Sequence, residues 1–212
     1  MTLLCEPYLL DPQPDGIHVL WHTERAGRCQ VVLVGADVPE MTEQEAYAAA
    51  TGPAESGGGW RRFGAEPRPL SRMREDAESS VPGRTYAGVT RRPVYRQLAR
   101  VGGLPAGRTP YRVVSIDDDG RVNVTATYTL APAVPPGRPV RLLLTSDHQL
   151  MPMVPANLAK VGETAGIALD GVLMAGDMVN VADRASDWFD SARRPLAGCA
   201  DPAEHPAVPG HR

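Results

Sequence analysis

The chain has 212 residues, enough for one large or two small domains with a sizeable core. Its 25 acidic residues outnumber 22 lysines and arginines, and the net charge of −3 excludes the basic excess expected of a nucleic-acid binder. Three cysteines, Cys5, Cys29 and Cys199, lack CxxC spacing, and no apolar stretch approaches the ~20 residues of a membrane span, so neither a zinc module nor a transmembrane helix is expected.

Met1 to Pro7 shows no basic start followed by an apolar run. A cytoplasmic location is therefore the default expectation, with secretion following if the start site is misplaced. Ile17 to His22 alternates as a half-buried strand, with Ile17, Val19 and Trp21 on the core face. His18 and His22 fall on the other face, about 13 Å apart, too far to share a metal, and are expected at the surface. Cys29 to Val34 is a β-branched run between Gly27 and Gly35. The span from about 36 to 85 breaks this rhythm: an acidic start, then Gly57-Gly58-Gly59, then an arginine-rich stretch. A short helix is predicted over Glu43 to Ala50. The remainder reads as a long surface insertion, with Arg61, Arg62, Arg68, Arg72 and Arg74 solvated. Pro93 to Val101, Pro110 to Ile116 and Arg121 to Leu130 are further strands. Asp117-Asp118-Asp119-Gly120 reads as a hairpin turn, since calcium loops alternate their carboxylates. Strands at this spacing predict a β-sandwich over residues 1–131.

Residues 132–139 carry closely spaced prolines and read as an extended linker. From 140 to 193 the pattern becomes α/β. The run Leu142-Leu143-Leu144 leads into Thr145-Ser146-Asp147-His148-Gln149, and Val172-Leu173-Met174 leads into Ala175-Gly176-Asp177-Met178-Val179-Asn180. Between them a helix is predicted from near Val154, with Leu158, Val161 and Ala165 on one face. The two runs thus become neighbouring parallel strands, each ending in an aspartate at the edge where open α/β sheets place their chemistry. Simple helix capping is the plainer alternative for both aspartates. Asp183 is the expected N-cap of a second helix that buries Trp188 and Phe189. Residues 194–212 have no periodicity and read as coil.

The second half resembles the opening of a calcineurin-like metallophosphoesterase domain, a family that carries Asp-x-His after its first strand and Gly-Asp-x-x-[Asp/Asn] after its second. Gly176-Asp177-Met178-Val179-Asn180 matches the second motif in full. Asp147-His148-Gln149 matches the first with glutamine in place of histidine, as in some branches of the family. The first half is similar to the fibronectin type III-like N-terminal domain of purple-acid-phosphatase-like proteins, through Gly103-Leu104-Pro105-Ala106-Gly107-Arg108-Thr109-Pro110-Tyr111. The resemblance implies hydrolysis of phosphate mono- or diesters by a hydroxide bound to two divalent metals (Mn, Fe or Zn). Asp147, Gln149 and Asp177 would be metal ligands, with Asn180 near the phosphate and His148 either a proton donor or a packed neighbour. A phosphate ester is the implied partner; nucleic acid and membrane are not. The family's later Gly-Asn-His-[Asp/Glu] and Gly-His-x-His motifs are not found, so the chain is expected to be truncated and weakly active or inactive. A non-catalytic binding module, with the sandwich making the contacts, is the alternative.

Overall fold

The computed structural model describes residues 3–53, 59–147 and 169–190. Two antiparallel sheets face one another. Strands β1 (Tyr8–Gln13), β2 (Gly16–Thr23), β5 (Glu66–Pro69) and β8 (Tyr95–Gly102) form one, in the order β1-β2-β8-β5. Strands β3 (Cys29–Gly35), β4 (Trp60–Gly64), β9 (Thr109–Ile116) and β10 (Val122–Val124) form the other, in the order β10-β9-β3-β4, and β11 (Tyr128–Leu130) also pairs with β9. Strand alternation builds the core between them. Ile17, Val19 and Trp21 of β2 and Ala99 and Val101 of β8 meet Val32, Val34, Tyr111 and Val113 of the opposite sheet. Trp21 is fully buried, and its indole N–H donates to Gln30 Oε1 at 3.2 Å, so its one polar atom is satisfied inside the sandwich.

Strand β3 is buried on both faces, which explains its unbroken apolar run. Its outer face is covered by a 3₁₀ turn at Val38–Glu40 and by helix α1 (Glu43–Thr51). Helix α1 starts at a capping box: Thr42 Oγ1 accepts from the Glu45 N–H at 3.2 Å, and Glu45 Oε2 accepts from the Thr42 N–H at 2.8 Å. Small Ala46, Ala49 and Ala50 let the helix lie close against Val31, Leu33, Val114 and Ile116. Its last carbonyls, on Ala49, Ala50 and Gly52, accept from Arg62 at 3.0, 2.9 and 2.7 Å.

The structure revises several expectations. Within the span 36–85, β4 and β5 add an edge strand to each sheet, so this stretch is partly framework. Arg61 is half-buried rather than fully solvated: its guanidinium donates to the Gly102 and Gly103 carbonyls and lies 5.3 Å from the Phe63 ring centroid. Arg68 remains exposed, paired with Glu66. His22 is buried rather than superficial. The segment around Leu4 pairs along the edge of β2, with the Leu4 N–H donating to the His22 carbonyl, and Tyr8, Phe189 and Cys5 cover the His22 ring on the face that alternation had assigned to solvent. His18, by contrast, stays partly exposed beside Asp11. Asp117 to Gly120 forms the hairpin turn, with Gly120 at φ +82° and Asp117 Oδ1 accepting from the Arg121 N–H. Cys5 and Cys29 are not bridged to each other: the Cys5 sulfur lies against His22 Nδ1 and the Cys29 thiol donates to the Ala50 carbonyl. Among the described residues no helix is long and apolar enough to cross a membrane.

Candidate functional site

Strands β12 (Leu142–Thr145) and β13 (Gly171–Met174) lie apart from the sandwich sheets and pair with each other in parallel, Leu142 opposite Gly171 and Thr145 opposite Met174. Because they are parallel, both chains leave at the same edge. The pairing extends beyond the strands: the Ala175 N–H donates to the Thr145 carbonyl at 2.8 Å and the Asp147 N–H to the Gly176 carbonyl at 3.3 Å. Asp147 and Asp177 therefore stand at adjacent strand ends, as the sequence predicts. Both have left-handed backbones, at φ +58° and +48°, beside Gly176 at φ +132°. Aspartate tolerates that region better than most residues, yet the conformation still costs about 1–3 kcal/mol per residue, and such costs cluster at functional sites. Ser146 Oγ donates to the Asp147 carboxylate.

Asn180 follows Asp177 by three residues on the same loop. His148 and Gln149 lie outside the described residues, as do the helix predicted from Val154 and the tail 194–212. Among the described residues no group of three or more His, Cys, Asp or Glu side chains converges as a metal site. Two carboxylates and one carboxamide are too few donors for a pair of divalent ions, each of which takes about four to six. The described residues alone do not fit a dinuclear centre.

After Asp177 the chain runs to helix α2 (Ala185–Phe189). Arg184, not Asp183, occupies its N-cap, and the Asp183 carboxylate instead accepts from Arg74 Nε at 2.7 Å. Phe189 is buried as expected, with Ala185, against Leu4 and Val94. Trp188 is only partly buried, and its indole N–H donates to the Ala182 carbonyl.

Around α2 lies a charged cluster that sequence reading missed. The short hairpin of β6 (Arg74–Glu75) and β7 (Thr90–Arg91) supplies its sandwich side. Arg92 is buried and donates to Glu75 Oε1 at 2.9 Å, to Glu24 Oε1 at 3.2 Å and to the Asp190 carboxylate. Arg184 pairs with Asp76 at 3.0 Å and Glu78 at 2.9 Å. Burial pushes the Glu75 carboxyl up, but the Arg92 guanidinium that donates to Oε1, together with the nearby Ser79 and Ser186 hydroxyls, outweighs it and holds the group below its usual range. Arg184 chiefly lowers Asp76, and Arg74 chiefly lowers Asp183. Asp187 goes the other way, raised by burial. The pairs that join α2 to the hairpin are about a hundred residues apart in sequence, so the signal available was the dense mixture of Arg, Asp and Glu over 72–78.

Comparison with known proteins finds no matching family model and no matching curated sequence. Among solved structures, the chain is similar to the purple acid phosphatase PPD1 from yellow lupin (Lupinus luteus) seeds, at TM-score 0.58 and 16% identity over 91% of this chain. The match covers 33% of the phosphatase, so this chain spans about one third of its length. The major subunit of aggregative adherence fimbriae type I from Escherichia coli aligns over 60% of this chain and 91% of its own, at 15% identity and a TM-score of 0.19, too low to carry an argument. The fold of this chain, a β-sandwich followed by a parallel strand pair, is thus related to that of a purple acid phosphatase.

Proposed function

We propose that the chain is the sandwich and the opening α/β segment of a metal-dependent phosphoesterase, descended from enzymes that hydrolyse phosphate mono- or diesters. The observation that carries this reading is the pair of left-handed aspartates, Asp147 and Asp177, at the carboxyl ends of adjacent parallel strands. The likeness to a purple acid phosphatase over both halves supports it. In this reading the sandwich is of the fibronectin type III kind, residues 132–139 link it to the α/β segment, and Gln149 joins the two aspartates as a ligand. Asn180 serves near the phosphate ester, and His148 is the candidate proton donor. Because the family's later Gly-Asn-His-[Asp/Glu] and Gly-His-x-His motifs do not occur in this sequence, metal uptake by this chain is weak and turnover is low or nil in this reading.

Titration of the protein with Mn²⁺, followed by electron paramagnetic resonance, tests the reading. Weak uptake that disappears in Asp177→Ala and Asp147→Ala supports it. No uptake by the wild type, or uptake identical in both variants, overturns it and favours the non-catalytic binding module. Hydrolysis of p-nitrophenyl phosphate and of its bis-ester, measured in parallel, separates mono- from diester preference.

A further inference from the structure

The charged cluster around α2 does more than fill an interface. Three arginines, Arg74, Arg92 and Arg184, meet seven carboxylates: Glu24, Glu75, Asp76, Glu78, Asp183, Asp187 and Asp190. Glu24 belongs to the sandwich, Glu75, Asp76 and Glu78 to the hairpin segment, and the last three to the chain that follows Asp177. Each arginine therefore bridges separate parts of the chain. Arg74 adds a backbone bond, its N–H donating to the Asp183 carbonyl at 2.9 Å. Beneath the charges, Ala185 and Phe189 of α2 pack on Leu4 and Val94. Apolar packing holds α2 down but is non-directional, whereas forked guanidinium pairs fix where it sits along the surface.

From α2 the constraint passes back toward Asp177. Asp187 Oδ2 accepts from the Val181 N–H at 3.1 Å, Trp188 Nε1 donates to the Ala182 carbonyl at 3.0 Å, and the Arg184 N–H donates to the Val181 carbonyl at 3.1 Å. Val181 is four residues beyond Asp177. At its other end the loop is held by β13 and its pairing with β12. The Gly176–Asn180 loop is thus pinned at both ends, once to the strand that precedes it and once to the sandwich.

We infer that Arg92 and Arg184, with Arg74, are positioning residues: they clamp the chain after Asp177 to the sandwich hairpin and so set where Asp177 stands beside Asp147. This deepens the phosphoesterase reading and rests on it for its functional meaning, since it assigns the sandwich a part in shaping the site. The acidic excess makes the clamp sensitive to loss of any one guanidinium. Removal of Arg92 alone strands the buried Glu75 carboxylate, so the informative variants are Arg184→Gln and the paired Glu75→Gln/Arg92→Met, which removes both charges together.

Two measurements on the full chain decide it, and neither needs metal or turnover. Amide hydrogen exchange reports the loop, and the carboxyl ¹³C resonance of Asp177, with Asp147 as internal reference, reports the side chain. In both variants exchange over Met178–Phe189 rises at least tenfold while β2, β8 and β9 keep wild-type protection, and the Asp177 resonance moves while that of Asp147 stays. Val113→Ala, which weakens the sandwich core away from the clamp, leaves the Asp177 resonance in place, and Arg184→Lys restores part of the protection. Unchanged exchange over 178–182, a rise spread equally through β2 and β8, or an Asp177 shift of the same size in Val113→Ala overturns the clamp. Failure here is distinct from failure of the phosphoesterase reading, which the Mn²⁺ titration decides by itself.

Discussion

Acidification should cost this fold stability through His22. The ring lies beside Tyr8 and Phe189, with centroids 6.2 and 5.1 Å away, and its Nδ1 is 3.5 Å from Cys5 Sγ. Burial, aided by the Arg96 cation, pushes its pKa down from 6.5 to about 4. In the unfolded chain His22 takes up a proton as pH falls below 6.5, whereas the folded protein resists until about 4. Its contribution is therefore complete above pH 6.5 and is lost as pH falls through that window. At about 1.36 kcal/mol per pH unit the full loss is about 3 kcal/mol, of which about 2 kcal/mol is already gone at pH 5. Glu75, Asp76 and Asp183, held below their ordinary values in the fold, begin to protonate in the unfolded chain toward the acid end of this window and add to the loss, whereas Asp187, raised by burial, opposes it. Subtracting a His22→Gln variant removes these shared contributions. Urea unfolding at pH 7.5 and 5.0 should show wild type losing about 2 kcal/mol more than the variant. A difference below about 0.5 kcal/mol, or an imidazole that titrates near its ordinary value by NMR, would refute the argument.

Other substitutions test the framework. Thr42→Ala removes the capping box of α1 and should lower stability by about 1 kcal/mol, read as a shift in urea midpoint at unchanged slope. Arg62→Ala frees three carbonyls at the other end of α1 and should cost about 1–2 kcal/mol, with Arg62→Lys recovering part of it. Gly35→Ala should be far worse. Its φ is +153°, and a Cβ would come 2.0 Å from the Gly59 carbonyl oxygen, so β3 and β4 must separate; a loss above about 2 kcal/mol is expected by circular-dichroism melting. Trp21→Ala empties the centre of the sandwich and should cost about 3–5 kcal/mol, or abolish folding.

Legibility in the sequence followed the range of the interactions involved. Period-two alternation is local, so β2, β8 and β9 could be read directly, as could the Asp117–Gly120 turn and the capped helix α1. Strands β4 and β5 were obscured because their arginines and prolines mimic a solvated insertion. Arg61 and Arg62 look polar, yet each spends its charge on backbone carbonyls. His22 shows the same limit from the other side: alternation tells which face of a strand a residue occupies, not what later crosses that face.

The candidate site divides along the same line. Two apolar runs that each end in aspartate mark parallel strand ends from sequence alone, and that placement holds. What the motif does not convey is how the loop after Asp177 is held, because its restraints come from Arg74 and Arg92, roughly a hundred residues earlier. A buried arginine–carboxylate cluster is a poor source of net stability, since desolvation offsets most of its Coulomb energy. Its value lies in direction: a forked guanidinium is satisfied in one geometry and penalised in others. An interface that needed only adhesion could rely on Leu4, Val94, Ala185 and Phe189. The addition of a buried Glu75 and three bridging arginines is accounted for if the position of α2, and of the aspartate loop behind it, has to be held as well.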